Sequence, residues 1–315
     1  TLLRHFDAGK FDVVPHTSAF QLAASRMGWA LQNVETVSLH GRSVSLIEPC
    51  IQPGARLITL TSGATSISEI AIRFTSRGFD ESQFTVLEHM GGTAENRVDF
   101  PAHSVPEEQF AGFQTLAIEC IASPGATILP RTPGLPDDAF VHDGQLTKRE
   151  VRAVTLSALQ PTPSALLWDV GAGCGSVAIE WLRSSPATQA IAFERNIERI
   201  TMMQANRERL GTPHLQIVPG NLPETLEGRT DPDAIFIGGD VSNESLFESC
   251  WSALKAQGRL VTNAVTLEGE AHLIALQAQH GGELVRLGIE TLTEVGSKRA
   301  MRPRMTVTQW RVTKP

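Results

Sequence analysis

The stretch Trp168-Asp169-Val170-Gly171-Ala172-Gly173-Cys174-Gly175-Ser176 decides how this chain is read. Three alternating glycines follow a short apolar run, 165–170, and precede a segment, 176–183, whose apolar residues recur at helical spacing. A buried strand therefore meets a helix through a glycine turn, the junction at which an open α/β sheet binds ligands. Glycine permits positive φ in such a turn. Lacking a Cβ, it also lets a ligand lie against the backbone while N–H groups at the helix N-terminus face it.

On either side of the turn the elements alternate. The pattern predicts helices at 147–159, 176–183, 197–210, 244–254 and 270–279, and strands at 165–170, 189–194, 215–218, 234–237 and 259–263. The strands are short, β-branched or aromatic, and scarcely alternate with polar residues, as parallel strands covered on both faces do. Two final apolar stretches, 283–290 and 306–312, have no helix between them, so an antiparallel pair closing one edge is expected. The fold class is α/β, a doubly wound, Rossmann-like sheet.

A chain of 315 residues exceeds one average domain. Ser123-Pro124-Gly125, then Leu129-Pro130-Arg131-Thr132-Pro133-Gly134-Leu135-Pro136-Asp137-Asp138, interrupts the regular pattern and reads as a linker between domains at 1–130 and 138–315. The net charge of −7 argues against a protein that neutralises nucleic-acid phosphates. No apolar run approaches the ~20 residues that span a bilayer, and the N-terminal residues lack a signal pattern, so a cytoplasmic protein without a membrane partner is expected. Cys50, Cys120, Cys174 and Cys250 are too far apart in sequence for a CxxC motif; no metal is expected, and all four read as reduced thiols. Tyrosine is absent, which leaves His, Asp, Glu, Lys and Cys as proton carriers.

A glycine turn alone suits nicotinamide, flavin or sulfonium donors. A G-x-G-x-x-G fingerprint would place its third glycine at Ser176, whereas D-x-G-x-G-x-G fits and resembles the first motif of class I S-adenosylmethionine (SAM) methyltransferases. Glu194 ends the next strand 19 residues beyond Gly175, near the spacing of roughly 20 at which an acidic residue reaches a ribose diol. Gly220-Asn221-Leu222-Pro223, after the third strand, offers an amide and backbone groups for an adenine edge.

Asp143-Gly144-Gln145-Leu146-Thr147-Lys148-Arg149-Glu150, the glycine turn, Phe236-Ile237-Gly238-Gly239 and Asn263-Ala264-Val265-Thr266-Leu267-Glu268 together resemble the precorrin carbon-15 methylases that also decarboxylate an acetate side chain. The resemblance covers nearly all of residues 138–315. Upstream, Pro15-His16-Thr17-Ser18-Ala19-Phe20 with Ala23-Ala24, and Leu87-Glu88-His89-Met90-Gly91-Gly92 with Glu95, are similar to the tetrapyrrole methylase family, specifically its carbon-5 precorrin member. Both in one chain resemble the bifunctional decarboxylating precorrin methyltransferases. That resemblance implies methylation of precorrin-6B at carbon 15 with loss of carbon dioxide, in cobalamin biosynthesis. Neither the Gly-rich turn nor the Gly-Asp-Pro motif of the tetrapyrrole methylases precedes Pro15. The chain is therefore expected to start inside its first domain, a partial α/β unit, and carbon-5 methylation is not expected of it.

The resemblance implies that SAM is held by Thr147, the turn Gly171, Ala172, Gly173, Cys174 and Gly175, Glu194, and the Asn221-Leu222 backbone. Thr147 reads equally as an N-cap, with Glu150 completing a capping box. A polycarboxylate substrate calls for cations, and Lys148, Arg299, Arg302 and Arg304 are the candidates. Asn263 and Glu268, beyond a strand end, are candidates for catalysis or orientation, and His142 for proton donation. Asp240 stands where a small residue is expected. Competing readings are a class I methyltransferase acting on tRNA or protein, and an N-terminal part that serves only as an oligomerisation or docking module. A homo-oligomer is compatible with the sequence.

Overall fold

Apolar residues gather into separate cores within Thr1–Ile128 and within Leu129–Pro315. The structure is a computed structural model that describes residues 5–107, 110–185 and 187–315. In the first unit, β1 (Glu35–Ser38), β2 (Arg56–Leu60), β3 (Gln83–Glu88), β4 (Asn96–Pro101) and β5 (Gln114–Glu119) form a sheet of order β1-β2-β5-β3-β4. Only the β1–β2 pairing is parallel. Helix α1 (Ala19–Met27) lays Ala23 and Ala24 against Ile58, Leu87 and Ala117 of the sheet. Helix α2 (Ala64–Ser76) contributes Ile67, Ile70 and Phe74 to the larger cluster.

The two upstream stretches singled out in the sequence meet here. Ser18 caps α1 in a reciprocal box with Gln21, and Glu95 accepts the Gly91 N–H (2.7 Å) while pairing with Arg26 of α1.

The second unit runs α3 (Arg149–Leu159), β6 (Leu166–Val170), α4 (Ser176–Ser184), β7 (Gln189–Glu194), α5 (Ile197–Arg209), β8 (Gln216–Pro219), β9 (Ala234–Ile237), α6 (Glu244–Ala253), β10 (Arg259–Ala264) and α7 (Leu267–His280). It ends with β11 (Glu283–Leu287), β12 (Glu290–Val295), β13 (Lys298–Pro303) and β14 (Val307–Thr313). Its seven-stranded sheet has the order β11-β14-β10-β9-β6-β7-β8. Strands β6 to β10 are mutually parallel, and β14 is antiparallel to both β10 and β11, the closure expected of the last two apolar stretches. The excursion between those stretches folds into a separate two-stranded ribbon of β12 and β13, which periodicity had not suggested.

Period-two alternation sorts the strands between two apolar layers. Leu166, Trp168, Val170, Ile191 and Phe193 face one cluster, and Leu167, Ala190 and Ala192 the other, so every position of β6 is buried. From β6 the chain moves outward to β7 and β8, then returns to the opposite side of β6 as β9. The crevice at the carboxyl ends of β6 and β9 is thus the switch point at which doubly wound sheets bind ligands.

Two local expectations are corrected. The later part of the stretch read as a linker is packed into the second core through Leu129 and Leu135, joined by Ala139 and Phe140 just beyond it. It is held by buried cations: Arg183 donates to the Leu129 carbonyl (2.8 Å), while Arg152 pairs with Glu180 (2.7 Å), whose carboxylate also accepts the Gly134 and Leu135 N–H groups. The capping box at Thr147 does not form either. Lys148 is the N-cap of α3, without a side-chain cap, so the Thr-x-x-Glu pattern is one residue out of register, and Glu150 turns instead to Arg304.

Candidate active site

The glycine turn lies over the end of β6. Gly175 has φ +81° and a Cβ there would stand 2.5 Å from Met203 Cγ, so both conformation and space require glycine. Gly173 donates its N–H to Glu194 Oε2 (2.8 Å), while Glu194 Oε1 accepts from the N–H groups of Arg195 and Asn196 (2.9 Å each). Glu194 is only 7% exposed, and these bonds lock the turn to the end of β7. Two carboxylate oxygens offer about four lone-pair positions, so one on Oε2 remains for a ligand hydroxyl.

A cavity of about 680 Å³ opens beside this turn. Asp169, Gly171, Ala172 and Gly173 form one wall, residues 144–148 a second, and Phe236, Gly238 and Asn263 carry it across β9 and β10. Apolar Val265, Ile289, Met305 and Val307 line its far side, and Lys148, Arg199 and Arg304 supply positive charge. Asp169 is the acidic residue of its lining. Its Oδ2 accepts the Ala178 N–H (2.9 Å), its Oδ1 has no partner among the described residues, and burial pushes its carboxyl up to about 7.

Residues 142–148 form a strap over the glycine turn. Arg199, on α5, donates to Asp143 Oδ2 (2.8 Å) and to Gln145, and Asn206, two turns further along α5, exchanges hydrogen bonds with both backbone groups of Val141. Gln145 N–H and Arg199 together hold the Asp143 carboxyl below its usual range. Lys148 Nζ reaches back to the Gly144 carbonyl (3.1 Å).

Of the residues singled out in the sequence, Thr147, Lys148, Gly171, Ala172, Gly173, Asn263 and Arg304 line this one cavity. Cys174 faces the core; its thiol is buried and pushed up to about 11, and its carbonyl accepts from Asn206. Glu194, Asn221 and Leu222 lie outside the cavity lining, with Asn221 exposed on the loop after β8. His142 sits in the strap, its Nδ1 accepting the Gly144 N–H (2.9 Å). Glu268 is exposed in the first turn of α7, and Arg299 and Arg302 are exposed on β13. Asp240 is exposed in a left-handed conformation, φ +53°, and accepts from Asn243 Nδ2 (3.0 Å).

Arg199 and the unpartnered oxygen of Asp169 were not singled out from the sequence. A cation in the first turn of a helix runs against the helix dipole, and that was the available signal for Arg199.

A parallel sheet closed by one inverted strand, with a glycine turn at its switch point and an acid at the end of the next strand, defines a class I SAM-dependent methyltransferase. The fold is shared with an SAM-dependent O-methyltransferase of Thermotoga maritima, 14% identical with a TM-score of 0.50 over 76% of this chain and 96% of that one. Greater similarity is found elsewhere. The model of the precorrin methyltransferase domain matches residues 138–314. Precorrin-6Y C(5,15)-methyltransferase [decarboxylating] of Sinorhizobium sp is 44% identical over 314 residues, covering all of this chain and 76% of that protein. The crystal structure of the C-terminal domain of precorrin-6Y C5,15-methyltransferase from Rhodobacter capsulatus is 39% identical with a TM-score of 0.56, over 59% of this chain and all of that one. The chain belongs to the precorrin methyltransferase family, and its methyl donor is SAM.

The residues present fit that donor. It carries a sulfonium and an ammonium, and the cavity holds one buried acid with an unengaged oxygen beside the glycine turn.

Proposed function

We propose that Leu129–Pro315 transfers a methyl group from SAM to carbon 15 of precorrin-6B and promotes loss of carbon dioxide from a neighbouring acetate side chain. The observation that carries this reading is the single cavity in which the glycine turn and Asp169 face Lys148 and Arg304 across an apolar lining. SAM, when bound, supplies an electrophilic methyl group on a strong leaving group.

Glu194 takes a ribose hydroxyl on its remaining lone pair, and the turn 171–175 passes beneath the sugar and the amino-acid arm. Asp169 balances the cationic end of the donor. The loop at Asn221-Leu222 borders the adenine. On the acceptor side, Lys148 and Arg304 receive carboxylates, and Phe236, Ile289 and Met305 cover the face of the macrocycle and exclude water. A cavity of this size takes a drug-sized ligand. The macrocycle therefore enters by one edge, and Arg299 and Arg302 meet carboxylates left outside.

Alignment of the electron-rich carbon with the methyl group is the main catalytic contribution, because an in-line displacement from a sulfonium needs little acid or base assistance. Decarboxylation needs an electron sink, which a protonated conjugated macrocycle supplies itself.

Incubation with precorrin-6B and SAM, followed by mass spectrometry, should show one methyl gained and one carbon dioxide lost. An unchanged macrocycle, with SAM binding intact by calorimetry, would rule the acceptor out.

A further inference from the structure

Gln309 occupies the middle of β14 and is fully buried, a position that sheets fill with apolar side chains unless a hydrogen bond is served there. Its Nε2 donates to Asn263 Oδ1 (3.0 Å) and to Thr155 Oγ1 (3.1 Å), and Asn263 Nδ2 donates to the same Thr155 hydroxyl (3.1 Å). Thr155, on α3, is also fully buried, and Gln309 lies directly opposite Asn263 across the β10–β14 pairing. Three elements thus meet in a closed triangle of side chains.

The triangle is not what stability alone would select. Gln309 Oε1 is buried without a partner among the described residues, and leucine at this position would remove that unpaired acceptor. Only Asn263, of the three, lines the cavity. A free asparagine amide can present either its oxygen or its nitrogen to a ligand. Here Gln309 engages the oxygen and Thr155 takes one Nδ2–H, which leaves the second Nδ2–H as the donor still to be used.

We infer that Gln309 and Thr155 are positioning residues that lock the Asn263 amide as a hydrogen-bond donor toward a carboxylate oxygen in the cavity. Both the amino-acid arm of SAM and the acetate groups of a precorrin carry such an oxygen. The substrate half of the inference rests on the function proposed above; the locking of the amide does not.

Gln309→Leu should keep or raise the thermal midpoint and yet lose about tenfold, the size of one hydrogen bond to a charged group. Loss of SAM affinity by calorimetry assigns the carboxylate to the donor; a loss in kcat/KM for precorrin-6B at unchanged SAM affinity assigns it to the substrate. Thr155→Val should behave as Gln309→Leu, and Thr155→Ser should restore function by restoring the hydroxyl. The double variant Asn263→Ala, Gln309→Leu should be no worse than Asn263→Ala alone. In the free wild-type enzyme, the Asn263 side-chain amide protons should give resolved, slowly exchanging NMR signals that broaden in Gln309→Leu.

Losses that multiply in the double variant, or amide signals indifferent to Gln309→Leu, overturn the inference. A wild-type enzyme that leaves precorrin-6B unchanged overturns the proposed acceptor instead, and the NMR and SAM measurements still decide the role of Gln309.

Discussion

Asp169 shows how one side chain can be costly to the free protein and useful to its complex. Its carboxyl has an ordinary value near 3.8 and is pushed up to about 7 chiefly by burial. Below about pH 4 the group is protonated in both folded and unfolded chains and has no differential effect. Between about 4 and 7 the unfolded chain ionises first, the folded chain binds the extra proton, and stability falls as pH rises; above about 7 the penalty is constant. Asp169→Asn should therefore match the wild type near pH 4 and exceed it in denaturant midpoint above pH 7, provided the amide oxygen keeps the Ala178 N–H. Its SAM affinity should drop by about tenfold or more at pH 8, because the cationic donor loses its counter-charge. A variant equally stable at both pH values, with donor affinity intact, would contradict both parts. The glycine turn and the acid at the end of the next strand were legible in the sequence because a tight strand-to-helix turn constrains residue type at fixed offsets. The sequence did not reveal that Glu194 also ties down the turn, or that Asp169 keeps an unengaged oxygen, because those facts depend on which backbone groups come within 3 Å.

At the scale of elements, the strap 142–148 joins the strand-end loops to α5 through side chains alone. The Arg199–Asp143 pair is about one-quarter to one-third exposed, and such pairs add at most about 1 kcal/mol to stability. Arg199→Ala should therefore barely move the unfolding midpoint while faster hydrogen exchange appears at residues 143–147 and SAM dissociates several-fold faster in stopped flow. Unchanged exchange and dissociation would show that the strap holds without its latch. The buried Arg152 behaves differently. It is wholly inaccessible and pairs with Glu180, so Arg152→Met should cost about 3–5 kcal/mol in urea unfolding by stranding a buried carboxylate. Adding Glu180→Leu should recover part of that loss; no recovery would show that the carbonyls of Leu135 and Thr147, which also accept from Arg152, matter more than the charge pair. The helices and parallel strands of Leu129–Pro315 were predicted within a few residues, since burial on both faces erases polar alternation and leaves a clear signal. The boundary between the units falls within the stretch read as a linker, but the pinning of its later part to the second core was not legible, because proline and glycine interrupt local periodicity whether a segment is free or pinned. Arg152 and Arg183, which do the pinning, lie more than ten residues away in sequence.

At the scale of the whole molecule, separate cores in Thr1–Ile128 and Leu129–Pro315 give each unit its own source of cooperativity. Four of the five tryptophans, Trp168, Trp181, Trp251 and Trp310, belong to the second unit, so indole fluorescence reports mainly on its unfolding, whereas far-ultraviolet dichroism reports on both. Ligand that binds only the folded form stabilises it by about 2.7 kcal/mol at a hundredfold excess over Kd. For a domain of this size that corresponds to a rise of roughly 5–10 °C in midpoint. Saturating SAM should therefore raise the fluorescence-detected transition by that amount while splitting the dichroism-detected melt, with the component from Thr1–Ile128 left in place. The split follows from where the glycine turn, Glu194 and the cavity lie: all belong to the second unit, so donor binding energy reaches the first only through whatever coupling exists between the two. A single transition moving as one in both signals would mean that the units unfold together and share the ligand's stabilisation. A fluorescence transition that ignores SAM would instead remove the donor from the second unit, and with it the basis for assigning methyl transfer there.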